Sequence, residues 1–326
     1  MKIGILGATG AVGQQMRQCL EERKIDCEEL RLLASSRSAG KTVPFMGRNV
    51  TIQETTPQSF EGLDYVLGAV EADVAKKMAP YITGAGAVFI DNSSASRMNP
   101  EVPLVVPEIN GEDAKNHHGI ISNPNCSTII TMMAIAPIHR IAKITRLVAS
   151  TYQAVSGAGV NGMKELSDEV AALMNNQPVE PKVFPAQIAY NCIPWIGSDI
   201  GNGVTTEEAK MGNEGRKILH NPDMKVSCTC VRVPVYRSHS ISVSLSCERK
   251  VSIQEAEEAI RQAEGVKLVE EGYPMPLDTS DQDIVFAGRI REDEAIDGLT
   301  VWCCGDQIRK GAATNAVEIL EYLLSH

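Results

Sequence analysis

The chain has 326 residues and carries 31 Lys and Arg against 41 Asp and Glu, which gives a formal net charge of −10. This acidic balance argues against a nucleic-acid-binding protein, because such proteins present a basic face to the phosphates. No apolar run reaches the roughly 20 residues that cross a bilayer, and the N-terminus lacks signal-peptide features, so we expect a cytoplasmic protein. The nine cysteines fit a reducing compartment, and their spacing matches neither a zinc site nor a redox dithiol, so we expect no metal.

The first 125 residues alternate apolar strand-like runs with helical patterns, which is typical of a parallel sheet covered by helices on both faces. We therefore expect an α/β fold with a Rossmann-type dinucleotide-binding domain over residues 1–125. The predicted elements are strands over 2–6, 29–33, 49–53, 65–68 and 87–91, and helices over 12–23 and 72–82.

From about residue 143 the pattern changes to longer strands, which indicates a second, α+β domain built on a mostly antiparallel sheet. Long strands of this kind are also suited to a dimer interface. The predicted elements are strands over 146–155, 229–235 and 240–247, and helices over 163–174, 206–219 and 309–324. The last helix has one apolar face and need not belong to the second domain.

The first predicted strand runs directly into glycines 7, 10 and 13 and then into a helix. Glycines at this spacing allow a tight turn, so that amides at the helix N-terminus can hold a pyrophosphate. The alternative is a turn without a ligand, but the strand–turn–helix context favours a dinucleotide. The predicted cofactor contacts in this loop are Gly7, Thr9, Gly10, Ala11, Val12 and Gly13.

After the second strand, the acidic residue typical of an NAD site is replaced by Ser35, Ser36, Arg37 and Ser38. An arginine flanked by hydroxyls suits a ribose 2′-phosphate through charge-assisted hydrogen bonds. This favours NADP(H) as the cofactor. The alternative is a solvated polar loop.

Cys126 follows Asn123, Pro124 and Asn125 and precedes an apolar helical pattern. A cysteine at a helix start is a plausible nucleophile, because the helix dipole favours the thiolate. The alternative is a buried, inert thiol. Among the six histidines, His239 is the best candidate for an acid or base, since it lies between two predicted strands and close to two arginines.

Six motifs, taken together and in this order, closely resemble those of the aspartate-semialdehyde dehydrogenase family, and they span nearly the whole chain. They are the glycine loop at 7–13, Asp91-Asn92-Ser93-Ser94, Asn123-Pro124-Asn125-Cys126-Ser127-Thr128, the run at 153–159, the run at 232–239 and the run at 305–313.

The resemblance implies that the chain reduces L-β-aspartyl phosphate with NADPH to aspartate β-semialdehyde and phosphate, a step in the biosynthesis of lysine, threonine, methionine and isoleucine. Cys126 matches the family nucleophile, which forms a thioester, and His239 matches the acid/base. Gln153 matches a residue that orients the acyl intermediate.

Substrate contacts are also implied by the resemblance. Arg232 matches the arginine that holds the α-carboxylate, while Glu207 and Lys210 match a glutamate near the ammonium and a lysine at the phosphate. A solvated helix face is the alternative for this last pair, and the register of Glu207 against Glu208 stays open. Arg97 and Asn125 match phosphate contacts, although Asn125 could simply cap the following helix.

The resemblance further assigns cofactor contacts to Ser156, Gly157 and Gln307, the last of which replaces the asparagine common in the family near the nicotinamide amide. It divides the chain into the cofactor domain, a catalytic and dimerisation domain over 126–304, and a C-terminal helix over 305–326 that returns to the cofactor domain. Family members are homodimers or dimers of dimers. The competing hypotheses are an N-acetylglutamyl-phosphate reductase, a catalytically silent nucleotide-binding relative and, less well matched, a glyceraldehyde-phosphate-type dehydrogenase.

Overall fold

The computed structural model describes residues 1–326 and separates them into two compact units. The first unit comprises Met1–Asn125 with Ala312–His326, and the second comprises Cys126–Gly311. The chain contains no helix that combines the length and the apolar character needed to cross a membrane.

The first unit contains a seven-stranded sheet in the order β3-β4-β2-β1-β5-β6-β7. Every pairing is parallel except that of the edge strand β3 with β4. Its strands are β1 (Lys2–Leu6), β2 (Glu29–Ala34), β3 (Thr42–Phe45), β4 (Arg48–Glu54), β5 (Tyr65–Gly68), β6 (Val88–Asp91) and β7 (Ile120–Ser122). Its helices are α1 (Ala11–Glu22), α2 (Ala72–Gly84), α3 (Pro107–Asn110) and α9 (Thr314–Ser325).

The five strands predicted in this unit are confirmed to within one residue at each end. Strands β3 and β7 were not predicted, because β3 contains Pro44 and β7 has only three residues. The central strand β1 lies between β2 and β5, so the chain runs to opposite sides of the sheet from this point. Ligands of doubly wound folds bind at the carboxyl ends of strands where the order reverses in this way.

Both faces of the first sheet are covered. On one face, the buried side chains Ile3 and Ile5 of β1 join Met16 and Leu20 of α1 and Val317 of α9 in a single core cluster. On the other face, Leu6 belongs to a second cluster that includes residues of α2. Burial of apolar surface on both faces explains why these strands read as continuous apolar runs.

The second unit contains a six-stranded sheet in the order β11-β12-β13-β10-β8-β9. The β12–β13, β13–β10 and β10–β8 pairings are antiparallel, while β11–β12 and β8–β9 are parallel, so the sheet is mixed. Its strands are β8 (Ile144–Gln153), β9 (Lys225–Arg232), β10 (His239–Cys247), β11 (Val266–Val269), β12 (Val285–Asp293) and β13 (Gly298–Gly305). Its helices are α4 (Cys126–Ile141), α5 (Gly159–Met174), α6 (Thr206–Ile218), α7 (Ile253–Arg261) and α8 (Pro276–Thr279).

The predicted helix over residues 309–324 is confirmed in its extent, but its first turn is not α-helical. Arg309–Ala313 forms a π-helical turn, and α9 begins only at Thr314. The amide of Gly311 donates to the carbonyl oxygen of Asp306 at 3.0 Å, which is an i−5 hydrogen bond. A glycine weakens helix propensity at this point, and the wider turn replaces the α-helical one.

At one end of the second sheet, the termini of several strands lie next to one another. Gln153 at the end of β8 pairs with Arg232 at the end of β9, and His239 at the start of β10 pairs with Gly305 at the end of β13. Since β10 runs antiparallel to β8 and β13, its first residue lies beside their last ones. The topology therefore places residues of four strands together at this end of the sheet.

Candidate active site

Cys126 is the first residue of α4 and is partly exposed. Its Sγ lies 3.6 Å from Nε2 of His239, which is completely buried at 0% exposure. The helix N-terminus and the imidazole therefore act on the same sulfur, and a positive helix end favours its thiolate form.

The other ring nitrogen of His239 fixes its tautomer. Nδ1 accepts a hydrogen bond from the Ala154 amide at 3.0 Å, so the proton of the neutral ring is on Nε2, which faces Cys126. Burial, together with a smaller contribution from Arg232, lowers the pKa of His239 to about 3, while Glu207 opposes the shift. At neutral pH the ring is thus an uncharged donor to the sulfur in this state rather than an acceptor of its proton.

Gln153 belongs to a chain of buried polar side chains. Its Oε1 accepts from the Thr151 hydroxyl at 3.0 Å, and its Nε2 donates to Glu207 Oε1 at 3.2 Å. Lys210 Nζ pairs with Glu207 Oε2 at 2.9 Å. The carboxamide orientation of Gln153 is therefore fixed from both ends, and α6 supplies both members of an ion pair at the same place.

The register of the two adjacent glutamates follows from their partners. Glu208 forms a capping box with Thr205, the N-cap of α6, and accepts the Cys230 amide at 3.2 Å. Glu207 instead contacts Gln153 and Lys210. The structure thus separates a helix-capping carboxylate from one that belongs to the polar chain beside β8.

Arg232 is 7% exposed and donates from Nη1 to the Ala154 carbonyl at 2.7 Å. Its guanidinium lies 5.8 Å from the centre of the Phe184 ring. A Cβ on Gly157 would lie only 2.6 Å from Arg232 Nη1, so glycine at this position leaves room for the guanidinium. Arg232 and His239 thus both form hydrogen bonds with the backbone of Ala154.

The turn after β13 is anchored by Asp306, which sequence reasoning did not assign to the site. Its Oδ1 accepts the amides of Ile308 and Arg309 at 2.9 and 3.1 Å, and Arg237 lies 2.6 Å from Oδ2. A Cβ on Gly311 would come within 3.0 Å of Cys126 Cβ. This segment therefore packs directly against the cysteine, and a side chain at Gly311 would make an unusually tight contact with it.

The glycine loop of the first unit has the geometry of a nucleotide-binding turn. Gly7 has φ +85°, and a Cβ on it would lie 2.3 Å from the Ala69 carbonyl oxygen. A Cβ on Gly13 would lie 2.3 Å from the Gly7 carbonyl oxygen, and Gly10 is the N-cap of α1 without a capping side chain. These glycines permit the tight turn and the close helix–strand packing that a pyrophosphate site requires. Thr9, Ala11 and Val12 complete the loop and the start of the helix.

A cavity of about 500 Å³ lies beside this loop. Ser35 and Ser36 line it, whereas Arg37 is exposed and, like Ser38, does not line it. Lys77, a cation that sequence reasoning missed, also lines the cavity. The remaining lining residues are Leu6, Gly7, Thr9, Gly10, Ala34, Glu54, Thr55, Ala69, Val70, Val74 and Met78.

Two further predicted residues lie in the first unit. Arg97 is 6% exposed and donates to the carbonyl oxygens of Asn123 and Asn92 at 2.9 and 2.7 Å. Asn125 is also buried and directly precedes Cys126 in the chain. Both residues are therefore shielded from solvent, and backbone carbonyl groups hold the Arg97 guanidinium in place.

A dinucleotide-binding fold joined to a cysteine–histidine pair defines a nicotinamide-dependent dehydrogenase that works through a thiol. Two family models match the chain within this class. The model described as semialdehyde dehydrogenase, NAD binding domain, matches residues 2–117, and the one described as semialdehyde dehydrogenase, dimerisation domain, matches residues 135–310.

Complete proteins give the more specific comparison. The chain is 47% identical to aspartate-semialdehyde dehydrogenase of Synechocystis sp., over 99% of this chain and 97% of the relative. It is 40% identical, with a TM-score of 0.96, to the crystal structure of aspartate semialdehyde dehydrogenase II of Vibrio cholerae complexed with ASA, covering 99% and 98% of the two chains. The enzyme of Candida albicans with NADP is 27% identical, with a TM-score of 0.76 and coverage of 99% and 98%. The chain therefore belongs to the aspartate-semialdehyde dehydrogenase family, whose members are oxidoreductases that act on an aldehyde group.

Proposed function

We propose that the chain reduces L-β-aspartyl phosphate to L-aspartate β-semialdehyde and phosphate through a thioester on Cys126. The observation that carries this proposal is the Cys126–His239 pair, with 3.6 Å between Sγ and Nε2 at the start of α4. A thiolate at this position attacks the acyl carbon, the C–O bond to phosphate breaks, and the phosphate leaves with its electron pair. The product of this half-reaction is an acyl group bound to Cys126.

A bound NADPH supplies the hydride that reduces the thioester. His239 contributes the Nε2 proton, which its fixed tautomer directs towards Cys126. This N–H stabilises first the thiolate and then the oxygen that becomes negative when the acyl carbon is tetrahedral. Collapse of that centre breaks the C–S bond, releases the aldehyde and returns the thiolate to Cys126.

The substrate groups are matched by charge. Arg232 is the proposed partner of the α-carboxylate, because a buried guanidinium can bind a carboxylate in a bidentate manner. Glu207 is proposed to bind the α-ammonium and Lys210 the phosphate, and their mutual ion pair keeps both in place before the substrate arrives. Gln153 orients the acyl group, and Arg97 and Asn125 provide further phosphate contacts.

NADP(H) is the proposed cofactor. The glycine loop fits a pyrophosphate. Serine hydroxyl groups line the neighbouring cavity at the position where an NAD site has a carboxylate. Arg37 is proposed to pair with the 2′-phosphate, alongside Ser35, Ser36 and Ser38. Ser156, Gly157 and Gln307 are proposed to contact the cofactor, with Gln307 near the nicotinamide amide.

We infer a homodimer that forms through the second unit, supported by the family description of residues 135–310 as a dimerisation domain. Assembly of two dimers into a tetramer and a cytoplasmic location stay predictions. Nine free cysteines are consistent with a reducing compartment.

The proposal is tested in the reverse direction with purified protein, aspartate semialdehyde, phosphate and NADP. We expect phosphate-dependent formation of NADPH, with much less product from N-acetylglutamate semialdehyde and slower reduction of NAD. Failure to form NADPH from aspartate semialdehyde would overturn the substrate assignment, and preference for the N-acetylated substrate would favour the competing reductase.

A further inference from the structure

Gln307 connects two backbone segments that flank the catalytic imidazole. Its Oε1 accepts the amide of Ser238 at 2.8 Å, and its Nε2 donates to the hydroxyl of Ser156. The side chain is 3% exposed. Both ends of this buried carboxamide are therefore engaged by the protein itself.

At one end of its side chain, Gln307 holds Ser238, the residue that directly precedes His239. Ser238 has φ +70°, a left-handed conformation that is strained for a residue with a side chain. Its amide is held by Gln307, and its hydroxyl lies 3.1 Å from that of Ser280. Because the two residues share a peptide bond, the conformation of Ser238 sets the direction in which His239 enters β10.

At the other end, Gln307 holds Ser156, which belongs to the segment that binds Nδ1 of the imidazole. Ala154, two residues earlier, donates its amide to His239 Nδ1 and accepts from Arg232. The Ser156 amide donates to the Tyr236 carbonyl at 3.2 Å, which ties this segment to the loop before Ser238. Gln307 thus bridges the segment that carries His239 and the segment that sets its tautomer.

We propose that Gln307 is a positioning residue. It keeps the imidazole of His239 oriented so that its Nε2–H points at the sulfur of Cys126, in addition to any contact that Gln307 makes with the cofactor. Asparagine carries the same carboxamide on a stem that is shorter by one C–C bond of about 1.5 Å, so from this backbone position its carboxamide would fall short of the place where Gln307 meets the amide of Ser238 and the hydroxyl of Ser156. The length of the glutamine side chain is therefore part of the catalytic geometry of this chain. This inference rests on the proposed role of His239.

The test measures the alkylation rate of Cys126 by iodoacetamide in nucleotide-free enzyme, as a function of pH. The groups that face the imidazole are Cys126, Arg232 and Glu207, and they are unchanged in the variants. We expect His239→Asn to slow alkylation at neutral pH roughly tenfold, the effect of losing one hydrogen bond to a charged group. Gln307→Met, which keeps the shape and removes both hydrogen bonds, should slow it severalfold and move its pH midpoint.

Two more variants keep the test decisive if Gln307→Met folds poorly. Ser156→Ala removes one end of the bridge and should reproduce part of the effect, while Gln262→Met replaces an exposed glutamine and should not change the rate. If Gln307→Met and Ser156→Ala alkylate at the wild-type rate while His239→Asn is slow, Gln307 acts on the cofactor only and the inference is overturned. If His239→Asn also alkylates at the wild-type rate, the role proposed for His239 fails and this inference fails with it.

Discussion

The glycine loop occupies seven consecutive residues, 7–13, from the end of β1 into the first turn of α1, whereas the thiol site takes residues from six separate segments of the second unit. In the loop, backbone conformation provides the function, and an added Cβ at Gly7 or Gly13 would collide with a carbonyl oxygen. In the thiol site, function depends on the mutual geometry of side chains such as Cys126 and His239. The loop should thus be sensitive to atoms that are added, and the thiol site to atoms that are removed.

Removal of the nucleophile should have the largest effect. We expect Cys126→Ala to lower kcat by on the order of 10⁴-fold or more, because the thioester can no longer form. Affinity for NADP, measured by calorimetry, should stay near the wild-type value, since the glycine loop is unchanged. Cys192→Ala, which alters an exposed cysteine, is the control and should keep wild-type turnover.

Addition of one methyl group to the loop should have the opposite pattern. In Gly13→Ala the new Cβ would lie 2.3 Å from the Gly7 carbonyl oxygen, so the turn must shift. We expect the Kd for NADP to rise roughly 5- to 150-fold, as strain of about 1–3 kcal/mol implies, while kcat at saturation changes little. Gly84→Ala is the matched control, because nothing lies within 4 Å of its Cβ position. Equal Kd values for the two variants would contradict this account of the loop.

Arg37→Ala should weaken the binding of NADP and leave that of NAD nearly unchanged. Loss of one charge-assisted hydrogen bond should raise KM for NADP roughly tenfold and leave KM for NAD nearly unchanged. Lys41→Ala removes an exposed cation nearby and serves as the control. If the two cofactors respond equally to Arg37→Ala, the 2′-phosphate is bound elsewhere, for example by Lys77, which lines the cavity.

The last prediction concerns how the stability of the fold depends on pH. His239 has a folded-state pKa of about 3 against an ordinary value of 6.5, so between these pH values the unfolded chain binds its proton more tightly. Acid therefore destabilises the fold through His239, by about 2 kcal/mol between pH 7.5 and pH 5. The His239→Asn variant lacks this contribution, so the free energy of unfolding of the wild type should fall more steeply across that range. Both free energies are measured by urea denaturation at pH 7.5 and at pH 5. An equal decrease for the two proteins would contradict the buried neutral imidazole.

The comparison also explains what could be predicted from the sequence. The glycine loop and its flanking strand and helix were predictable because the signal is contiguous and periodic. Strand β3 was missed, since a proline occupies the edge strand at Pro44. The π-helical turn at Arg309–Ala313 depends on the Asp306-anchored turn before it, which hydropathy does not report.

In the thiol site, residue types were predictable and hydrogen-bond partners were not. The tautomer of His239 depends on the Ala154 amide, 85 residues away in the chain. The bridge formed by Gln307 spans 69 residues to Ser238 and likewise needs the fold. The register of Glu207 and Glu208 is an exception, because Thr205 and Glu208 have the spacing of a capping box that the sequence already contains.

The central claim is that Cys126 carries the acyl group, and trapping that group tests it most directly. Enzyme free of nucleotide is mixed with β-aspartyl phosphate, quenched in acid, digested and mapped by mass spectrometry. We predict an aspartyl adduct on the peptide that contains Cys126, accompanied by release of phosphate, and no adduct in Cys126→Ala. Phosphate release without an adduct on Cys126, or an adduct on another of the nine cysteines, would contradict the account.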